Sequence, residues 1–280
     1  MTSTTAAGAD VLVHPVQSPL LATFPFLRHG HTFRLPDMGE AEGNMGYGPP
    51  RDREDAWAMR QQWCEAVGLD PARIVTMSQV HGADVIRVTG ADAGRGAAPG
   101  SGSVGRADAL ITDAPGVALL TLHADCLPIL LVDPARPAVA AVHAGWRGTV
   151  AGVAVAAVHA MTEAFGSDLR ELRAYLGAAI GGCCNEVGPE VTDAWRAYAQ
   201  NLGPLAELAV SRPKEKEHFD GQRANALLLQ HAGLLPEHID VDWSCTRCEG
   251  ERWFSHRGQG PTTGREGAFI GLLATSGEAV

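Results

Sequence analysis

Residues 109–151 read ALITDAPGVALLTLHADCLPILLVDPARPAVAAVHAGWRGTVA. Four short apolar runs, 109–112, 117–122, 129–132 and 139–142, are each bounded by Gly, Pro or Asp. Short apolar runs with such punctuation read as buried strands. The polar residues that interrupt them, His123, Asp125, Cys126 and His143, fall at the turn-like junctions. Strands therefore carry the core here, and chemistry gathers where they end.

Working outward, 52–68 reads as a helix capped by Asp52 and stopped at Gly68. Short strands are expected at 74–77 and 85–88, and the glycine-rich stretch 89–106 reads as a loop. Alanine and valine at helical spacing predict a helix over 148–165. A strand at 175–180, helices at 189–202 and 220–231, and strands at 239–243 and 269–273 complete the pass. No internal repeat is evident, and the polar stretch 203–219 is the weakest candidate linker. The mixture predicts an α/β (α+β) sandwich, with mixed central β-sheets flanked by helices. Residues 1–9, made of Ser, Thr, Ala and Gly after Met1, read as a disordered tail, and 10–280 as a single domain.

The 280 residues are long enough for one large core, and 45% hydrophobic with 19% charged is a globular composition. The 33 glycines and 17 prolines argue against a helical bundle. A net charge of −10, with no basic stripe, argues against a nucleic-acid partner. No apolar run reaches the ~20 residues of a membrane helix, and the N-terminus lacks the pattern of a secretory signal. A soluble, cytoplasmic protein is expected. Only Lys214 and Lys216 are lysines, so a phosphate held by a side chain is expected on arginine.

Several motifs have plain readings. Gly100, Gly102 and Gly105 spell G-x-G-x-x-G, but in a loop that precedes a strand, so no dinucleotide fingerprint follows. Cys245 and Cys248 form the single CxxC; without a second, a tight turn with two thiols is the simpler reading than half a zinc site or a redox pair. HExxH and the zinc-deaminase signature are absent. His81, Cys126 and His143 lie at three strand ends, 45 and 17 residues apart. Three such donors suit a catalytic metal with an open fourth position. A Cys126–His pair acting as a thiolate nucleophile, or structural histidines, fit the same residues. Arg147, at the start of a helix in HAGWRG, is a candidate anion ligand.

SQVHG (78–82), ADALIT (107–112), LHADCLPILLVD (122–133), AVHAGWRGTVAGV (141–153), LGAAIGGCCNEVGPEV (176–191) and the WFSHR…TTGREGAFIGL segment (253–272) occur in order. Together they resemble the YfiH-type family, known as multicopper polyphenol oxidase or laccase-domain proteins, from about residue 22 to the C-terminus. The resemblance implies a compact α/β sandwich with a metal, usually zinc, on His81, Cys126 and His143, copper being the alternative. It also implies pocket roles for Arg34 (with His29 and Gly30), Asn44, Arg257 and Arg265. Leu35, Pro36 and Asp37 replace the family's glycine pair, which shifts the register of Arg34 and Asn44. His256 stands where the family often has tyrosine.

The activity implied is purine nucleoside phosphorolysis on adenosine, inosine or methylthioadenosine, accompanied by adenosine deamination. Phosphorolysis needs a held phosphate, for which Arg34, Arg147 and Arg257 are the candidates. Deamination needs a hydroxide, which a zinc site supplies by lowering the pKa of its water to about 7. Asp125 would handle a proton or, preferably, orient the ligands. Two rivals remain. A copper polyphenol oxidase needs many paired histidines, yet among eleven the only His-x-His is 29–31. A cysteine hydrolase or amidase acting on cell-wall precursors would use Cys126 as nucleophile and His143 as base. The sequence leaves the oligomeric state open.

Overall fold

The computed structural model describes residues 14–213 and 215–274. The expected tail, 1–9, lies outside them. The strands are β1 (Leu27–His31), β2 (Ile74–Val75), β3 (Val85–Arg87), β4 (Ala109–Thr112), β5 (Ala118–His123), β6 (Leu127–Asp133), β7 (Ala138–Ala144), β8 (Arg173–Leu176), β9 (Val210–Ser211), β10 (His218–Phe219), β11 (Ile239–Val241) and β12 (Glu266–Leu272). The helices are α1 (Arg53–Glu65), α2 (Trp146–Ala151), α3 (Val153–Phe165), α4 (Pro189–Tyr198), α5 (Gly221–Ala232) and α6 (His256–Gln259).

Two mixed sheets face one another, in the orders β1-β12-β5-β2 and β11-β8-β6-β7-β4-β3. Alternate residues of a strand face opposite sides, and both faces of β6 and β7 are buried, so these strands are apolar but for Asp133 and His143 near their ends. Leu130 and Val132 of β6 and Val139 and Ala141 of β7 pack between the sheets, against Leu119 and Ile270. Their neighbours Ile129, Leu131, Ala140 and Val142 turn the other way, onto Val153, Val158 and Met161 of α3 and Leu229 of α5. The outer face of the smaller sheet packs Leu120 and Phe269 on Met59 and Trp63 of α1. The architecture is thus helices, sheet, sheet, helix, the sandwich the sequence predicts.

The helix caps are local. The Asp52 carboxylate accepts from the amides of Glu54 and Asp55, and Asp220 accepts from Arg223 N. Several boundaries differ from expectation. The predicted helix 148–165 is two helices, because Gly152 sits at φ 84° and breaks it. The strand expected at 175–180 ends at Leu176, and 177–180 leave the sheet toward the cavity described below. The helix 189–202 ends at Tyr198 and passes into a 3-10 stretch, Gln200–Ala209, kinked at Gly203. Residues 203–219 form no linker: Ala206, Ala209 and Phe219 are buried with Trp195, and β9 pairs with β10. β1 was not expected at all.

Candidate functional site

The carboxylate of Asp108, buried just before β4, organises the site. Its Oδ1 accepts from His81 N at 2.9 Å and from His143 Nδ1 at 2.8 Å. Its Oδ2 accepts from Val80 N at 3.1 Å and Gly82 N at 2.6 Å. Those amides fix the turn in which His81 adopts φ 61°, a left-handed conformation unusual for a residue with a side chain. Burial opposes the Asp108 charge, but the His143 contact and the amides outweigh it and hold the carboxyl below its ordinary value.

With Nδ1 engaged by Asp108, His143 presents Nε2 toward Cys126. The thiol sits between β5 and β6, and Sγ lies 3.8 Å from His81 Nε2. One donor atom from each of His81, Cys126 and His143 lies within 4.8 Å of the others. Burial pushes the Cys126 thiol up, but hydrogen bonds to His143 and His81 outweigh it and bring it down to about 6. Burial lowers His143, while Asp108 and Cys126 hold its proton and raise it to about 9. Gly145 makes room for the group: a Cβ there would stand 2.8 Å from His81 Cδ2 and 3.1 Å from Cys126 Sγ.

The donor set fits zinc. Zn–N of about 2.0–2.1 Å and Zn–S of about 2.3 Å in a tetrahedron put nitrogen and sulfur about 3.6 Å apart. The observed 3.8 Å needs little adjustment. His123, although near, is spoken for: Nε2 lies 2.8 Å from Thr121 Oγ1, and Nδ1 lies 3.1 Å from Cys126 O.

Two of the donors, His81 and Cys126, line a cavity of about 530 Å³, and His143 lies buried behind them. Arg147, Arg257 and Arg265 line the same cavity, a cationic rim on a chain whose net charge is −10, and His256 lines it with them. Ile180, Trp146 and Phe219 contribute apolar wall. The Arg147 guanidinium lies 4.2 Å above the Trp146 ring, and among the described residues it pairs with no carboxylate. Arg257 is braced by Glu186 O at 3.0 Å and Asn185 Oδ1 at 3.3 Å. With only six residues, α2 lacks a long helix dipole, so the positive charge at its start is that of the Arg147 side chain.

Asp125 lines the cavity but is tied back. Oδ1 accepts from Thr246 Oγ1 at 2.6 Å and Oδ2 from Arg257 N at 2.8 Å. Arg34 is not brought to the cavity: it donates to Glu42 Oε1 and to Gly250 O, each at 3.0 Å. It lines neither this cavity nor the smaller one beside it. Asn44 borders a second, smaller hollow, where Oδ1 accepts from Gly46 N at 3.1 Å and Arg265 N at 2.9 Å. Its contribution is to place Arg265, which borders both hollows. Asp108 and Asn185 were not singled out in the sequence. Asp108 could have been, as a lone acid at the mouth of an apolar strand.

The family described as multi-copper polyphenol oxidoreductase laccase matches residues 28–273. The chain belongs to this laccase-like, YfiH-type family. Among the relatives of this YfiH-type chain, "Purine nucleoside phosphorylase YlmD" of Geobacillus stearothermophilus is 38% identical over 238 residues, covering 83% of this chain and 86% of that protein. "Purine nucleoside phosphorylase YfiH" of Escherichia coli is 36% identical over 208 residues, 74% of this chain and 77% of the relative. "Adenosine deaminase RL5", from an unknown prokaryotic organism, is 38% identical over 166 residues, 59% and 61% respectively. The crystal structure of YlmD from Geobacillus stearothermophilus superposes with a TM-score of 0.84 at 36% identity, covering 92% of this chain and 94% of that one. Among the described residues, no helix is long and apolar enough to cross a membrane.

Proposed function

We propose that the chain is a zinc-dependent purine nucleoside phosphorylase. Its substrates are adenosine, inosine or S-methyl-5'-thioadenosine with phosphate, and adenosine deamination accompanies it in the same cavity. The observation that carries this reading is that His81 and Cys126, two of three clustered donors, share one cavity of about 530 Å³ with Arg147, Arg257 and Arg265. The names of the relatives point the same way. Six free thiols and a small-molecule cavity suit a cytoplasmic enzyme acting on soluble nucleosides, with neither nucleic acid nor membrane as partner.

Phosphate enters as a dianion, and Arg147 and Arg257 supply charge-assisted donors to it. Asn185 and Glu186 keep the Arg257 fork oriented, so little freedom is lost on binding. The purine ring lies against Trp146, Phe219 and Ile180. A phosphate oxygen bonds to the ribose anomeric carbon as the bond to the purine nitrogen breaks, and the purine leaves with the electron pair and takes up a proton. The ribosyl centre gains positive charge on the way, so a correctly placed anion lowers the barrier more than a strong nucleophile would. A zinc ion held by His81, Cys126 and His143 would supply Lewis-acid polarisation and an acidified water for deamination. Asp125, bound to Thr246 and the Arg257 amide, positions the rim and leaves proton transfer to others.

The test is chromatography of adenosine incubations with and without phosphate, on protein whose metal content is measured in parallel. Adenine formed only with phosphate, by protein holding zinc, supports phosphorolysis. Inosine formed without phosphate supports deamination. A zinc-loaded protein that yields neither would sink the nucleoside reading, and copper content with phenol turnover would restore the oxidase.

A second reading has its own observation. Cys126, His143 and Asp108 stand in the order of a thiol nucleophile, its base and an orienting carboxylate. It requires a metal-free Cys126 that is alkylated by iodoacetamide even when the protein is saturated with zinc.

A further inference from the structure

The CxxC turn does not stand alone. The fold brings Cys183 and Cys184, which follow β8, against Cys245 and Cys248. The four Sγ atoms all lie within 4.8 Å of one another. Cys248 Sγ is 3.6 Å from Cys183 Sγ and 3.4 Å from Cys184 Sγ. Four thiolates around zinc, with Zn–S of about 2.3 Å, stand about 3.8 Å apart. The observed separations match that edge and are far from the ~2.05 Å of a disulfide. We propose that Cys183, Cys184, Cys245 and Cys248 form a second, structural metal site for one thiophilic tetrahedral divalent ion, zinc first.

Three further observations support it. The Gly181 amide donates to Cys245 Sγ at 3.3 Å, and the amides of Arg247 and Cys248 face the same sulfur. Backbone N–H groups aimed at a sulfur stabilise a bound thiolate as they do other anions. A Cβ at Gly181 would stand 3.3 Å from both Cys183 Sγ and Cys245 Cβ, so the turn is open where the sulfurs converge. Finally, Cys183 and Cys248 are exposed, so packing of a small apolar side chain does not account for the gathering. The donor set is all sulfur and holds no imidazole or carboxylate, which selects zinc over magnesium or calcium.

Such a site would staple two segments that flank the cavity. The segment after β8 carries Asn185, which accepts from Arg257 at 3.3 Å. The turn begun by Cys245 carries Thr246, which donates to Asp125 at 2.6 Å. The metal is therefore a brace behind the cationic rim, with no open position of its own. This inference does not depend on the reaction proposed above, and its readouts are spectroscopic and chemical.

The experiment uses the full chain with Cys126→Ala, which removes a donor from the first set. Anaerobic cobalt(II) titration of the reduced protein should saturate at one equivalent, with intense sulfur-to-cobalt charge-transfer bands and tetrahedral ligand-field bands. Cys245→Ser should abolish the tetrathiolate spectrum, and Cys64→Ser, at a buried thiol elsewhere, should keep it. Wild-type protein guards against misfolded variants. With zinc, mass mapping should show Cys183, Cys184, Cys245 and Cys248 protected from alkylation as a group, and a chelator should release them together. Equal alkylation with and without zinc, a cobalt spectrum lacking multiple thiolates, or disulfides among these cysteines in fresh anaerobic protein would each overturn the proposal.

Discussion

Two donor clusters lie on different segments of the chain and are built differently. The His81, Cys126 and His143 corner mixes nitrogen with sulfur, has Asp108 behind it and opens onto the large cavity. The Cys183, Cys184, Cys245 and Cys248 cluster is all sulfur and half exposed, and its turns meet the cavity lining at Asn185 and through the Thr246 bond to Asp125. Three donors beside a cavity leave a place for substrate; four donors closing on one another leave none. The lesson is that number of donors and access, rather than cysteine count, separate a reacting site from a brace.

The largest effect expected at the first corner comes from Asp108→Asn. The change removes the charge that holds His143 and trades an acceptor for a donor facing three backbone amides. Zinc affinity there should fall about 10–100-fold, as for other residues that orient a metal ligand. Competition with a chromophoric chelator reads it, and unchanged affinity would mean that Asp108 does no more than pack. Gly145→Ala should act in the same direction, because its Cβ meets His81 and Cys126. Its fold, followed by circular dichroism, should survive.

Arg257→Ala sharpens the comparison from the rim. A hydrogen bond to a charged group contributes about 1.5–3 kcal/mol, so the KM for phosphate should rise about 10–100-fold. The KM for nucleoside should move much less. Arg34→Ala should leave the phosphate KM unchanged, because its guanidinium is committed to Glu42 and Gly250.

Acidity gives a further contrast. In metal-free protein, Cys126 is brought down to about 6 and His143 raised to about 9. Thiolate and imidazolium therefore coexist between those values. The thiolate is lost as pH falls through about 6, and the imidazolium is lost as pH rises through about 9. The rate of Cys126 alkylation should rise with a midpoint near 6 rather than near the ordinary thiol value. Zinc should suppress it across the range.

Much of this was legible in the sequence, for physical reasons. β4 to β7 are buried on both faces, so their apolar runs are continuous and stand out. Cys126 and His143, at the ends of these strands, and His81, in the turn after β2, could be singled out before any geometry, although only the family resemblance implied that they share one metal. β1 was missed because LRHGH carries two histidines and an arginine, and its burial comes from pairing with β12. The 203–219 stretch looked like a linker because its apolar residues, such as Ala206, Ala209 and Phe219, meet Trp195 only after the chain turns back. The place of Arg34 was not legible, because its partners Glu42 and Gly250 are brought to it only by the fold. The four-sulfur cluster was hidden because a CC pair and a CxxC about 60 residues apart become neighbours only through the bridge of Ala179 to Cys245.

The most direct test of the account compares wild-type protein with Cys126→Ala in phosphate-dependent cleavage of adenosine, with zinc measured in both. The account predicts adenine and ribose 1-phosphate from the wild type. The variant should be folded, retain zinc at the four-cysteine site alone and show cleavage reduced to background. A folded variant that still cleaves adenosine at the wild-type rate would contradict the assignment of the reaction to the His81, Cys126 and His143 corner.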